Sequence, residues 1–178
     1  LHTVGVNVPF NFYVDQDAKH STEVIAQFRQ GGLGLPNRDY YTKSDAKSQE
    51  TREKYLMHVG NIFKLLGDND AAAGAHASTV MAMETRLASA SMTNVELRDP
   101  EAVYHKMSLD ELAALTPGFS WKRYFADLGV GNATSVNVEQ PGFMKEAGKM
   151  FTDVPIADWK TYLRWHVTRG YADYLSSA

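Results

Sequence analysis

The 178-residue sequence contains no cysteine. Without thiols the chain cannot form disulfide bonds or thiolate metal sites. The cysteine content therefore does not distinguish an oxidising from a reducing compartment. No run rich in Lys and Arg stands out and the formal net charge is -3, so the electrostatic signature of nucleic-acid binding is missing. No apolar run approaches the roughly 20 residues of a membrane-spanning helix. What remains is an ordinary globular composition, 44% hydrophobic and 22% charged, enough for one domain or two small ones.

The histidines are too widely spaced for a helical zinc motif. In HExxH, two histidines four residues apart hold the metal and the glutamate activates water. Here no two of the six histidines lie within ten residues of each other, and none is followed by Glu. A site assembled from scattered histidines stays open as a minor alternative. We interpret them as surface or half-buried imidazoles and predict that this chain binds no metal.

Two other motifs of reactive or binding sites are also incomplete. Asp15 and Asp17 form the D-x-D that begins a calcium loop, but His20 replaces the required Gly and Ala26 the required Glu. We interpret this segment as a solvated hairpin turn. There is no G-x-S-x-G and no cysteine nucleophile, so we assign no catalytic residue.

The segment GGLGLPNRDYY, residues 31–41, raises the question of a phosphate-binding loop. A dinucleotide loop needs G-x-G-x-x-G opening directly into a helix, and a Walker A loop needs a following Lys-Ser/Thr; neither is present. The segment lies where the apolar period changes from 2 to 3.6, so we interpret it as a rigid strand-to-helix corner. We expect Gly32, Gly34 and Pro36 to set its path, Arg38 or Asp39 to pin it by ion pairs or backbone hydrogen bonds, and Tyr40 or Tyr41 to pack into the core.

The apolar pattern predicts a mainly α fold, an antiparallel helical domain of about six to seven helices with an N-terminal β-hairpin. We expect a single domain, with the hairpin at 1–30, the corner at 31–43 and helices over 44–178. Segment 135–139 alternates and fits either a strand or an extended link. Residues 22–30 form the second strand of the hairpin, and the first has one apolar face of Val4, Val6, Val8, Phe10, Phe12 and Val14.

Several helix starts are marked by capping residues. Ser108 and Glu111 predict a capping box, Asp99 an N-cap before Pro100, and Ser120 the cap of a further helix. Prolines at 141 and 155 begin the last two helices. The inner face predicted for the last one comprises Ile156, Trp159, Leu163, His166, Val167, Gly170 and Tyr174.

Glu84 falls between Val80 and Leu87 on the packed side of its predicted helix. A carboxylate there needs a cationic partner or strong hydrogen bonds. We favour a structural ion pair over a catalytic role. The candidate partners are Arg38, Arg86 and Arg98.

Five segments, in this order, resemble the neprilysin family of zinc metallopeptidases. They are GLGLPNRDYY, METRLASASMTNVELRDPEAVYHKMSLDEL, FSW, VNVEQPGFM and WKTYLRWHV. The segment before GLGLP also fits the family, so the resemblance covers nearly the whole chain.

The resemblance implies a two-lobed parent enzyme. One lobe of the family carries HExxH and a downstream glutamate as its zinc site, and a largely helical N-terminal lobe closes over it and admits only peptides of limited size. This chain resembles part of the helical lobe, because HExxH, the third zinc ligand and the NAxY substrate motif have no counterpart here. We carry over no catalytic residue, and we do not assign the family's substrate-contacting arginine to Arg29 or Arg38.

Further expectations follow from the resemblance. The parent would bind zinc outside this chain, cleave peptides, and act outside the cytoplasm, in the periplasm or after secretion. Because the animal members are rich in disulfides, the absence of cysteine points to a bacterial member. The sequence begins with Leu1 inside a strand-like pattern, so we expect a piece of a longer chain that is inactive alone and associates through an exposed apolar hairpin face. The alternative is a stand-alone helical binding module.

Overall fold

The structure, a computed structural model, describes residues 1–131 and 133–175. Seven α-helices and four strands lie in these residues, so the predicted mainly α fold is confirmed. No helix in this part of the chain is long and apolar enough to span a membrane. The helices are α1 (Asp39–Thr42), α2 (Ala46–Leu65), α3 (Asp70–Ala90), α4 (Leu109–Leu115), α5 (Trp121–Asp127), α6 (Pro141–Asp153) and α7 (Ile156–Gly170), and the strands are β1 (Phe10–Gln16), β2 (Val24–Gln30), β3 (Lys106–Ser108) and β4 (Ser135–Val138).

The described chain divides into two compact units, each built from two separate segments. Unit 1 comprises Leu1–Gly31 and Ala90–Asp153. Unit 2 comprises Gly32–Ser89 and residues 154–175. The sheet and helices α4 to α6 belong to unit 1, whereas α1, α2, α7 and nearly all of α3 belong to unit 2.

The sheet of unit 1 has the strand order β1-β2-β4-β3. β1 and β2 form the predicted antiparallel hairpin, and β4 pairs in parallel with β2 and antiparallel with β3. The segment at 135–139, left open as a strand or a link, is therefore a strand. The hairpin is half of a larger sheet that the sequence did not reveal, because parallel partners such as Ala26 and Val136 are far apart in the chain.

The core of unit 1 forms on the aromatic face of the hairpin. The ring of Phe28 is fully buried, and its centroid lies 5.5 Å from that of Phe10 and 4.9 Å from that of Trp121 on α5. Strand alternation places Phe10 and Phe28 on the same face, where the aromatic side chains of α5 cover them.

The chain before β1 is not a strand, which corrects the alternation predicted from Val4 onwards. His2–Val4 form a 3-10 turn, and Val4 is exposed. Val6, Val8 and Phe10 are buried. The expectation that they lie on an open apolar face is therefore wrong, and the rings of Phe28, Trp121 and Tyr124 pack on Phe10.

Helices α2, α3 and α7 of unit 2 share one apolar cluster. A Cβ added to Gly60 on α2 would lie in ordinary contact with α3, 3.9 Å from the Ala73 carbonyl oxygen and 3.9 Å from the Ala77 Cβ. The sequence predicts Gly67 as the C′ residue that ends α2, and its φ of 96° lies in the left-handed region that this position requires. The buried members of the cluster are Tyr55, Val59, Phe63, Ala73, Ala77, Val80 and Trp165.

The capping box of Ser108 and Glu111 is confirmed at the start of α4. The other two predicted caps are wrong. Asp99 starts no helix, because its Oδ1 accepts the Glu101 N–H at 3.0 Å and the chain turns there instead. Ser120 precedes α5, but its side chain makes no cap hydrogen bond.

The buried face of α7 differs from the predicted one. Ile156 and Tyr174 are 72% and 83% exposed. Tyr162 and Trp165 are buried instead, next to Trp159 and His166. Large aromatic side chains gain more from burial than Ile156 does, so the helix presents its aromatic stripe to the interior of unit 2.

Candidate functional site

Glu84 lies within α3, and its side chain is completely buried in unit 2 (0% exposed). Its Oε2 accepts a hydrogen bond from the Tyr41 hydroxyl at 2.7 Å, and its Oε1 accepts one from the Tyr55 hydroxyl at 2.9 Å. Nε2 of His166 lies 3.0 Å from the same Oε1. These three side chains supply the polar partners that a buried carboxylate requires.

The hydrogen-bond directions around Glu84 follow from groups that can only donate. The Trp165 indole N–H donates to the Tyr55 hydroxyl oxygen at 3.0 Å. The backbone N–H groups of Gly34 and Leu35 donate to the Tyr41 oxygen at 3.1 and 2.7 Å. Both hydroxyl protons are therefore left to point at the carboxylate.

The same arrangement makes the two phenols hard to ionise. Burial, followed by the charge of Glu84, raises the pKa of both Tyr41 and Tyr55 far above the ordinary value. Both therefore stay protonated donors over the physiological pH range.

His166 contacts Glu84 without a well-aligned hydrogen bond. Its Nε2 is buried and has no hydrogen-bond partner in the described chain, although it lies 3.0 Å from Oε1. The imidazole packs on the ring of Tyr162, with centroids 4.4 Å apart. His166 therefore lies against the carboxylate by proximity and ring packing, without an aligned hydrogen bond.

The sequence predicts an arginine beside Glu84. Arg38, also in unit 2, is not among the described groups that contact the carboxylate, and its Nε is buried without a hydrogen-bond partner there. Arg98 and Asp99 lie in unit 1, in and directly after the 3-10 turn Glu96–Arg98. The actual partners come from α1, α2 and α7, and no sequence spacing links these elements to Glu84.

The corner at residues 31–41 is held by this network. Gly32 has φ of 72°, and its C=O accepts the Tyr162 hydroxyl at 2.8 Å. A Cβ added to Gly34 would lie 1.8 Å from the Tyr55 hydroxyl oxygen, so only glycine fits there. Tyr41 is the tyrosine of the pair that is buried.

The remaining corner residues make more exposed contacts. The Asp39 carboxylate pairs with Lys43 Nζ at 2.8 Å, and the Asp39 N–H donates to the Asn37 side chain at 3.0 Å. Arg52 Nη1 donates to the C=O of Tyr40 at 2.8 Å. Pro36 lies on the surface between the two buried parts of the corner.

Unit 1 contains a buried carboxylate of its own at the hairpin end. Asp17 is 1% exposed, which corrects its interpretation as part of a solvated turn. It accepts hydrogen bonds from Lys106 Nζ and the Tyr104 hydroxyl, both at 2.9 Å. Burial opposes its charge, but the hydrogen bonds from Lys106, the Lys19 N–H and Tyr104 outweigh that and hold the pKa of Asp17 well below its ordinary value.

A second carboxylate of unit 1, Glu139, follows β4. It accepts a hydrogen bond from the Tyr13 hydroxyl and pairs with Arg29 Nε at 3.4 Å. Burial, followed by the hydrogen bond to Glu139, raises the pKa of Tyr13 above its ordinary range. The sequence does not reveal this cluster, because Tyr13 on β1, Arg29 on β2 and Glu139 after β4 meet only in the folded sheet.

The described residues do not fit a zinc site. No three His, Asp or Glu side chains among them come close enough together to hold a metal ion. Glu84 and His166 would supply two ligands, but both oxygens of Glu84 already accept tyrosine hydroxyls. A tetrahedral zinc set needs more than this pair offers, so we derive no catalytic step through a metal in this chain.

The whole chain, residues 1–178, matches the sequence profile of Peptidase family M13. The chain belongs to this family. The resemblance to neprilysin-type metallopeptidases is thereby confirmed. Endothelin-converting enzyme 1 of Mus musculus is 27% identical over 171 residues, 93% of this chain and 22% of that protein. Neprilysin-3 of Drosophila melanogaster is 29% identical over 181 residues, 96% of this chain and 23% of that protein.

Solved structures agree with the family assignment. The crystal structure of the Mycobacterium tuberculosis zinc metalloprotease Zmp1 with an inhibitor is similar with a TM-score of 0.90 at 29% identity, over 98% of this M13 chain and 27% of that chain. PepO from Lactobacillus rhamnosis HN001 has a TM-score of 0.77 at 17% identity over 98% and 28% of the two chains, which shows a shared fold. The chain thus spans about a quarter of the length of the relatives it matches.

Proposed function

We infer that this chain is a non-catalytic part of the helical lobe of a zinc metalloendopeptidase. The observation that carries the proposal is the M13 match over residues 1–178. The similarity to a zinc metalloprotease bound to an inhibitor supports it. In this proposal the rest of the polypeptide binds zinc and hydrolyses peptides, because HExxH is absent from this sequence.

The proposed role of the chain is steric. Its buried carboxylates Glu84, Asp17 and Glu139 are each engaged by hydrogen bonds or ion pairs within their own unit, which supports a structural use of each. The lobe would form a wall of the substrate chamber, restrict the size of entering peptides and move against the zinc lobe. We place the parent enzyme outside the cytoplasm, in the periplasm or secreted, on the family resemblance.

The test compares this chain with the protein encoded by the complete natural reading frame. Both are assayed with an internally quenched peptide, and zinc is measured by mass spectrometry. We expect stoichiometric zinc and cleavage only for a longer product that contains HExxH. Submicromolar zinc binding or cleavage by this chain alone would contradict the proposal. A natural stop codon directly after residue 178 would favour a stand-alone helical binding module instead.

A further inference from the structure

β1 is an edge strand of the four-stranded sheet, because only β2 pairs with it in the described chain. The edge of a sheet presents backbone N–H and C=O groups to which another strand can add. Proteins commonly block such edges with lysine, proline or a bulge. β1, FNFYVDQ, contains neither residue, and its register with β2 is continuous over all seven pairs. The strand therefore lacks these three forms of protection.

The hydrogen bonds of β2 show which groups of β1 face outwards. The Glu139 N–H donates to the C=O of Phe28 at 2.9 Å, so the backbone groups of Phe28 point towards β4. Phe12 is opposite Phe28 and therefore does not exchange hydrogen bonds with it. The bond from the Asp17 N–H to the Glu23 C=O fits the same alternation. The residues of β1 whose backbone groups point outwards are accordingly Phe10, Phe12, Val14 and Gln16.

Side chains close the outer edge at both of its ends. Nε2 of His2 lies 2.8 Å from the C=O of Phe10, within hydrogen-bond distance. At the other end, Oδ1 of Asp15 accepts the N–H of Gln16 at 2.8 Å. These two contacts occupy the first and last outward positions of the strand.

The open part of the edge lies between these caps. The backbone N–H and C=O groups of Phe12 and Val14 have no partner among residues 1–131 and 133–175, which leaves four groups over about 10 Å of strand. Val14 is 51% exposed and Tyr13 is 38% exposed, so apolar side-chain surface flanks these groups. The site is thus a short backbone ladder with an apolar border.

We propose that the outer edge of β1 at Phe12–Val14 binds a short extended peptide by strand addition. The inference rests on the proposed function in one respect, which is that the bound peptide is a substrate of the parent peptidase. Three residues of strand edge bury far less surface than the roughly 1,200 Å² that stable interfaces bury. This small area disfavours a permanent partner or a second copy of the chain. Asp15 is the only charged residue of β1, so peptides with a basic residue at that end are favoured.

The test uses a capped hexapeptide of alternating lysine and valine as the probe. Amide hydrogen exchange of this chain is followed residue by residue with and without the peptide. We expect slower exchange at the amides of Phe12 and Val14. The matched control peptide is N-methylated at its four central residues, which removes its donors on both edges, and it should give no protection.

Two variants at position 14 separate the contribution of the backbone N–H to peptide binding from that of the side chain. Val14→Pro removes an outward N–H without removing a bond to β2, a change that edge strands tolerate, whereas Val14→Ala keeps the N–H. Loss of this one donor should weaken binding of the probe about fivefold in Val14→Pro. Val14→Ala should weaken it less. If Val14→Pro fails to fold, the N-methylated peptide still decides the question.

Three outcomes would overturn the inference. The first is equal binding of the N-methylated peptide, and the second is protection from exchange at other strands only. The third is protection of the Phe12 and Val14 amides that grows with protein concentration in the absence of peptide, which would assign the edge to a second copy of the chain. Because binding is read on this chain without catalysis, its failure is separate from that of the proposed function. If a longer product cleaves peptides but the exchange of the β1 amides does not slow when peptide is added, this inference fails while the proposed function stands.

Discussion

The hydroxyl of Tyr41 lies 2.7 Å from the buried carboxylate of Glu84 and donates its proton to it. The same oxygen accepts the backbone N–H groups of Gly34 and Leu35. One phenol therefore joins the glycine-rich corner to the middle of α3. A substitution at either end of this connection should therefore perturb the structure at both ends.

Replacing Tyr41 by Phe should destabilise the protein by about 2 kcal/mol, because it leaves two backbone donors and one carboxylate oxygen without their partner. Urea denaturation measures the free energy of unfolding. Tyr40→Phe is the matched control, since the Tyr40 hydroxyl makes no hydrogen bond in the described chain, and it should change stability by less than about 0.5 kcal/mol. Equal effects of the two variants would show that the connection contributes nothing.

Glu84→Gln should also cost about 2 kcal/mol or more. The amide keeps the size of the side chain, but its NH₂ group must face a hydroxyl proton or the His166 imidazole. Glu53→Gln, at an exposed position of α2, serves as the comparison and should be nearly neutral. A thermal melt of Glu84→Gln that matches the unsubstituted protein would contradict the assignment of Glu84 as the centre of the unit 2 network.

Two glycine-to-alanine substitutions should change the free energy of unfolding in opposite directions. Gly34→Ala places a Cβ 1.8 Å from the Tyr55 hydroxyl oxygen, so it must displace that oxygen from Glu84 and should destabilise by about 2 kcal/mol or more. Gly74→Ala meets no atom within 4 Å on the exposed side of α3 and should stabilise by about 0.5–1 kcal/mol. Chemical denaturation of both variants checks the pair. A stabilising Gly34→Ala would mean that the corner is loosely held.

Asp17 should make stability depend on acid pH. Its pKa is lowered in the folded protein, so the unfolded chain binds more protons below the ordinary value of about 3.9. The contribution of Asp17 is therefore present above about pH 4 and is lost as the pH falls further. The stability difference between the unsubstituted protein and Asp17→Asn should shrink between about pH 5 and pH 2.

Lys106→Met provides the control for the acid effect. Lys106 Nζ is a main cause of the lowered pKa of Asp17, so its removal should flatten the pH dependence assigned to Asp17. Denaturation at a series of pH values in the Lys106→Met and Asp17→Asn backgrounds measures this. An undiminished acid dependence in Lys106→Met would assign the effect to other carboxylates.

Features set by neighbours in the chain could be predicted from the sequence. The capping box of Ser108 and Glu111 and the left-handed Gly67 depend on residues within one turn of helix, and both are as predicted. The partners of Glu84 could not be predicted in this way, because Tyr55 and His166 approach it only when separate helices pack. The pairing of Ala26 with Val136 escaped prediction for the same reason. The apolar spacing predicted the inner face of α7 only in part, because Trp159 and His166 are buried as expected but Tyr162 and Trp165 are buried in place of Ile156 and Tyr174.

The division of each unit into two segments has a consequence for synthesis. A ribosome delivers α2 and α3 long before α7, yet Trp165 and His166 on α7 complete the surroundings of Tyr55 and Glu84. Until α7 emerges, the carboxylate of Glu84 stays hydrated and the helix pair has an uncovered apolar side. Unit 2 can therefore mature only after residues 90–153 of unit 1 have been made, so the nascent chain carries an unfinished helix pair while that segment is synthesised.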